Sequence, residues 1–313
     1  MREIPELPDE VVQAGLNGEL VFFVGAGASM LLGLPSWGEL AWQALQTLRK
    51  KHLLNFAELE QLKNLEPKKQ LSIAKLIAKE NEIDLDLTAH LKGKEEGNSI
   101  YKAINDMGCV CVTTNYDELL APRFSEIDDD PLKPAEVKAQ TVKPQVVKRI
   151  CDKSSFLAKC LDEPGTVVHL HGAISRPESM VVTTKEYLEH YDHENVKHFL
   201  GELFTKKIVL FIGYGLEEAE ILEHILRRGE VKSTHDRRRF ALQGYFLNQE
   251  RLYGYLHQYY EKSFGVHVIG FVRDHEDYDQ QEAILRAWAP QIKVRKPPLA
   301  NDIALMDEVL SRG

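Results

Sequence analysis

A chain of 313 residues with 43% hydrophobic side chains can bury a sizeable core in one large domain or two modest ones. Its 39 basic and 48 acidic residues leave a net charge of −9, which argues against a broad nucleic-acid face. Four cysteines are too few for a disulfide scaffold, no apolar stretch reaches the ~18–20 residues of a membrane span, and a charged N-terminus lacks a signal-peptide core. A cytoplasmic protein with no membrane association is the expectation.

Five short, β-rich apolar runs read as strands: Leu20–Val24, Cys109–Thr113, Val167–Leu170, Ile208–Ile212 and Val266–Phe271, with Phe240–Leu247 a weaker sixth. Their hydrophobicity is continuous rather than alternating, as expected of strands covered on both faces. Helical stretches lie between them, so the predicted class is α/β with a doubly wound, mostly parallel, Rossmann-like sheet.

Two insertions interrupt that pattern. Residues 36–106 are almost wholly helical in spacing and open on a Ser36-x-x-Glu39 capping box, which predicts an inserted helical module. Residues 121–163 carry Pro131, Pro134 and Pro144, and read as an irregular excursion followed by helix. The sheet-centred domain is expected over 1–290, followed by a tail at 291–313. There Ile303, Met306 and Leu310 place one apolar stripe on a short helix, suited to packing on the chain's own core or on a neighbouring subunit. The basic cluster Arg227, Arg228, Lys232, Arg237, Arg238 and Arg239 reads as a solvated loop, or as a docking surface.

The first strand runs into Gly25-Ala26-Gly27-Ala28-Ser29. Glycines there permit a sharp turn and a close approach of backbone amides to a diphosphate. The spacing is not the dehydrogenase fingerprint, because Met30 stands where a glycine is needed. Three further motifs also fall at strand ends: Thr113-Thr114-Asn115-Tyr116-Asp117, His171-Gly172 and Gly213-Tyr214-Gly215-Leu216. In an open α/β sheet, strand ends converge on one crevice. Asn115 offers a donor and acceptors without changing charge, and read alone it equally suits a loop cap. Asp117 suits either the loop or a ribose hydroxyl. His171 titrates near neutrality and is the candidate general base. His169 would share its face on a regular strand; such a pair can bind a metal, but no third ligand is evident. His190, His193 and His198 read as a solvated helix.

In order and spacing, Gly25-Ala26-Gly27-x-Ser29-x-x-x-Gly33-Leu34-Pro35-Ser36-Trp37 and the three later motifs resemble the sirtuin signatures over roughly residues 20–271. The resemblance is to the sirtuin-like, NAD-hydrolysing domains of bacterial anti-phage defence proteins. It implies NAD as substrate, held by Gly25, Ala26, Gly27, Ser29, Leu34, Trp37, Asp117, Gly213, Tyr214 and Asn248, with Asn115 and His171 catalytic. It further implies a homo-oligomer, with a HerA-type ATPase or a short Argonaute as partner. Departures accompany it. No C-x-x-C pair exists to build a zinc ribbon, so no metal is expected. Gly38 stands where the family has arginine, and Val181–Glu186 replaces the segment that clamps acyl-lysine peptides. Glycohydrolase activity is thus favoured over a deacylase or ADP-ribosyltransferase, and over a non-catalytic NAD or ADP-ribose sensor.

Overall fold

The computed structural model describes residues 1–92, 99–123, 147–163, 165–228 and 237–292, the side chains of residues 227 and 228 excepted. Among the described residues, seven strands form a single sheet: β1 Leu20–Val24, β2 Val110–Thr113, β3 Lys148–Ile150, β4 Thr166–His169, β5 Ile208–Ile212, β6 Arg239–Tyr245 and β7 Val266–Val272. All pair in parallel in the order β3-β4-β2-β1-β5-β6-β7. The chain builds outward from β1 to one side, then returns to lay β5 against its other edge. The sheet is therefore doubly wound with β1 at the switch point, where such folds open a crevice beyond the strand ends.

The described α-helices, in chain order, are α1 Asp9–Asn17, α2 Ala26–Met30, α3 Trp37–Lys50, α4 Phe56–Lys63, α5 Pro67–Glu80, α6 Ile100–Met107, α7 Thr184–Asp192, α8 Glu194–Lys206, α9 Ala219–Arg228, α10 Glu250–Phe264 and α11 Gln280–Ile292. Every residue of β1 is buried, which explains its unbroken apolar run. Val21 and Phe23 pack on one face with Phe199, Leu203 and Phe204 of α8. Leu20, Phe22 and Val24 pack on the other with Val11 of α1, Ile104 of α6 and Trp288 of α11.

Helices α3, α4 and α5 form the inserted module, with a core of Leu40, Leu45, Leu48, Leu59 and Leu71. The capping box at its start is present in both directions: Glu39 N donates to Ser36 Oγ, and Ser36 N donates to a Glu39 carboxylate oxygen. The module ends sooner than its spacing suggests. α6 belongs to the sheet, because Ile100, Ile104 and Met107 pack beneath β1 and β2.

Two expectations need correction. Within 121–163, the described residues carry β3 and two 3₁₀ turns at Lys153–Ser155 and Ala158–Leu161 rather than an α-helix. β3 escaped notice because it is three residues long and two are cationic; such a charged, short strand suits a sheet edge. In the basic cluster, Arg239 is buried and donates to the carbonyls of Phe204 and Phe264, while Arg237 pairs with Glu261. Lys232 and the tail at 293–313, with its apolar stripe, lie outside the described residues.

Candidate active site

Beyond the carboxyl ends of β1, β2, β4 and β5 lies a cleft of about 770 Å³, within the ordinary range for small-molecule sites. Ala26, Gly27, Ser29, Leu34, Trp37, Asn115, Asp117, His171, Gly213 and Tyr214 all line it. The four strand-end motifs therefore meet in one place. Gly25 and Asn248 are not among its lining residues; Asn248 is exposed on a 3₁₀ turn after β6.

The glycine loop is built differently from the expectation. Gly25 N donates to Ile212 O at 2.9 Å and Gly27 N to Gly213 O at 2.8 Å. A Cβ at Gly25 would lie 2.6 Å from Gly213 O, and one at Gly27 would lie 2.8 Å from the same oxygen. Gly213, at φ +59°, could carry a Cβ only 2.4 Å from Ala28 N. These glycines are required by a backbone-on-backbone seam between the β1 and β5 loops. The amides of Gly25 and Gly27 are engaged within the protein and are not free to cradle a diphosphate.

On one wall, Asn115 ties the loops together. Its amide nitrogen faces three acceptors: Gly25 O at 2.9 Å, Ser29 Oγ at 2.9 Å and Tyr101 Oη at 3.1 Å. Ser29 Oγ donates to Asp117 Oδ2 at 2.7 Å, and Leu119 N donates to Asp117 Oδ1 at 3.2 Å. Asp117 thus holds the loop and also lines the cleft. With two amide hydrogens directed inward, what Asn115 can offer a ligand is its amide oxygen. Burial and the neighbouring Asp117 push the Tyr101 hydroxyl well above its usual range, so it stays protonated.

The opposite wall is aromatic. His171 is only 2% exposed, with Nε2 2.8 Å from Tyr191 Oη and Nδ1 3.2 Å from Tyr187 Oη. The expected shared face with His169 does not occur. β4 ends at His169, whose Nδ1 lies 3.1 Å from Asn115 O, whereas the His171 ring turns towards Tyr187, His190 and Tyr191. Gly172, at φ +86°, makes this turn; a Cβ there would fall 2.3 Å from Ser179 O. Burial, reinforced by Lys68, drives the His171 pKa down to about 3, so the ring is neutral and a poor proton acceptor. His190 is buried rather than solvated, and burial lowers it likewise to about 3.

A residue that sequence reasoning passed over stands beside it. Glu218 follows the Gly213–Leu216 loop, where Leu216 itself adopts φ +55°. Its Oε2 accepts from Tyr214 Oη at 2.7 Å, its Oε1 accepts from Tyr187 Oη at 3.4 Å, and Oε1 lies 3.6 Å from His171 Nε2. Burial raises its pKa to about 7 against the pull of those hydroxyls, while its side chain keeps 20% exposure to the cleft. The clue in the sequence was an acidic pair, Glu217-Glu218, directly behind a strand-end motif. One hydrogen arrangement satisfies the cluster: Tyr191 donates to His171 Nε2, His171 Nδ1–H to Tyr187, and Tyr187 to Glu218.

The helical module closes the cleft. Lys68 of α5 pairs with Glu220 of α9 at 2.6 Å and sits over the Tyr187 ring at 4.1 Å. Lys75 pairs with Glu186 of α7 at 2.8 Å. Trp37 at the head of α3 lies 5.7 Å from the Tyr116 ring, spanning the seam between module and sheet. The Val181–Glu186 segment is a helix start: Thr183 and Glu186 form a capping box, and Val181 N donates to His171 O.

Among the described residues, no helix is long and apolar enough to cross a membrane. Curated proteins give no match to this sequence. A family model for the SIR2-like domain matches residues 110–284, from β2 into α11 and more than half of the chain. That span holds Asn115, Asp117, His171, Gly213, Tyr214 and Glu218, and domains of this kind bind NAD. The chain belongs to the SIR2-like domain family.

Proposed function

We propose that the protein is an NAD glycohydrolase, releasing nicotinamide and ADP-ribose. The observation that carries this reading is a carboxyl group poised near neutrality, Glu218, facing the same cleft as Asn115. A general base works best when its pKa lies near the working pH. In the proposed reaction, the bond between C1′ of the ribose and the nicotinamide nitrogen breaks with its electrons going to nicotinamide. Water adds to C1′ and gives its proton to Glu218. The Asn115 amide oxygen orients the water or the ribose hydroxyls. Trp37 covers the nicotinamide end, and Ala26, Ser29 and Tyr214 line the path of the rest. His171, neutral and held between two tyrosines, positions the Tyr187 hydroxyl against Glu218 instead of acting as the base itself.

The capped start of α7 stands in the sequence where sirtuins carry their peptide-clamping segment, and the Lys68–Glu220 pair joins the helical module to α9 at the cleft. Both features support a small-molecule reaction over protein deacylation. Incubating the purified chain with NAD, with and without an acyl-lysine peptide, tests the reading. Peptide-independent nicotinamide release is expected. Release that requires the peptide overturns it, and binding without turnover points to a sensor.

In the cell, we propose a cytoplasmic NAD-depleting effector of anti-phage defence. A free NAD hydrolase is toxic to its host, so control by self-assembly or by a partner is expected. A HerA-type ATPase and a short Argonaute are the candidates. Native mass measurement of the complex from its own host tests this.

A further inference from the structure

A second constellation lies at the outer strand, independent of the cleft and of the activity proposed for it. His257 and Glu261 stand one turn apart on α10, and the chain then reverses through Gly265, at φ +62°, to bring His267 of β7 against them. In a parallel sheet, the second residue of β7 lies towards the edge opposite the cleft.

His257 Nδ1 is 3.1 Å from the Val268 carbonyl oxygen. A carbonyl only accepts, so Nδ1 donates its proton there, and Nε2 offers a lone pair whenever it is unprotonated. Nε2 faces Glu261 Oε2 at 3.3 Å. An unprotonated Nε2 at this distance repels the carboxylate unless a cation, either a proton or a metal ion, stands between them. His267 Nδ1 approaches the same carboxylate, 3.5 Å from Oε1, too far for a strong hydrogen bond. One ligand atom from each of the three residues lies within 4.8 Å of the others. Bonds of ~2.0–2.2 Å around a tetrahedral ion separate neighbouring ligands by roughly 3.4 Å, so modest side-chain rotation closes the set.

The surroundings also fit. The Val268 carbonyl fixes the His257 tautomer, as outer partners of metal-ligating histidines usually do. Arg237 takes Glu261 Oε1 at 3.1 Å, which orients the carboxylate and leaves Oε2 towards His257. The three side chains are 22%, 34% and 24% exposed, sheltered yet reachable from solvent.

We propose that His257, Glu261 and His267 form a binding site for a divalent transition-metal ion of the zinc type, with water as the fourth ligand, clamping α10 to the outer strand. Two imidazoles and one carboxylate suit zinc better than magnesium or calcium, which favour all-oxygen shells.

The full chain, stripped with a chelator, would be titrated with Zn²⁺ against a chromophoric competitor, and with Co²⁺ followed by its visible absorption. One ion per chain and a cobalt spectrum of tetrahedral intensity are expected. His267→Ala and Glu261→Gln should each weaken binding at least ~100-fold, beyond the range of losing an outer partner. Zinc should raise the melting midpoint of the parent chain and not of the variants. If His267→Ala unfolds, His257→Gln, which keeps a donor for Val268, serves in its place. Undiminished binding in well-folded variants overturns the proposal. So does a parent chain whose melting midpoint is indifferent to a tenfold excess of zinc, since the cluster is then an imidazolium–carboxylate pair alone.

Discussion

The two walls of the cleft do different physical work. On the glycine-loop side, Asn115, Ser29, Tyr101 and Asp117 form a closed knot in which the donors are directed inward. On the aromatic side, Tyr187, Tyr191 and Tyr214 surround a neutral histidine and a carboxyl raised to about 7. A satisfied network resists movement and fixes geometry. A buried, under-solvated carboxyl gives up stability for reactivity. One wall is tied together by its own hydrogen bonds, and the other holds a carboxyl raised towards neutrality, the base of the proposed reaction.

The sharpest way to break this contrast is Glu218→Gln, which keeps the shape and removes the proposed base. Turnover of NAD is expected to fall ~10²–10⁴-fold. Stability should move the other way. Above pH 4.5 the unfolded chain loses the Glu218 proton, which the folded chain keeps up to about 7, so ionisation opposes folding and the cost is full above that pH. The variant should therefore be more stable at pH 8 by up to about 3 kcal/mol, with no gain below pH 4. Denaturant titrations at both pH values check it. His171→Gln should lose less activity than Glu218→Gln; the reverse ranking would return the role of base to the histidine.

His171 and His190 set the acid side of the profile. Both are held near 3 when folded, whereas the unfolded chain takes up protons below about 6.5. Stability should consequently fall as pH drops from 6.5 towards 3, opposite in sign to Glu218. Glu218→Gln should steepen that rise between pH 4.5 and 6.5 and flatten the decline above it.

Gly27→Val probes the seam that joins the walls. Its side chain would meet Gly213 backbone rather than open cleft, so the ligand-free protein should lose about 2–3 kcal/mol, the scale of overpacking. A full-strength fold with NAD binding abolished would instead restore the loop to a purely ligand-facing role. Asn115→Ala should cost about 1–2 kcal/mol by leaving Ser29, Tyr101 and Gly25 without their donor, in addition to its loss of turnover. A melting midpoint unchanged from the parent would show that the knot is not structural. Lys68→Met is the mildest: a partly buried pair with Glu220, its side chains 26% and 25% exposed, is worth about 1 kcal/mol, measurable as a small midpoint shift that shrinks in high salt.

Much of this molecule is written locally. Continuous apolar runs such as Val-Phe-Phe-Val determined the central strands, because a strand buried on both faces has no polar positions to blur the pattern. The Ser36–Glu39 box set the start of α3, since capping needs only neighbours in sequence. Motifs at strand ends had to converge once the sheet was parallel, so ten of the twelve expected site residues line the cleft. Tertiary structure decided what those residues can do. Charged β3 became a strand only through its pairing with β4. The glycines proved to serve a contact between loops nearly 190 positions apart, and Glu218 and His171 acquired their proton affinities from burial by α5, α7 and α9. Desolvation depends on what the rest of the chain places around a group, and no local spacing encodes that.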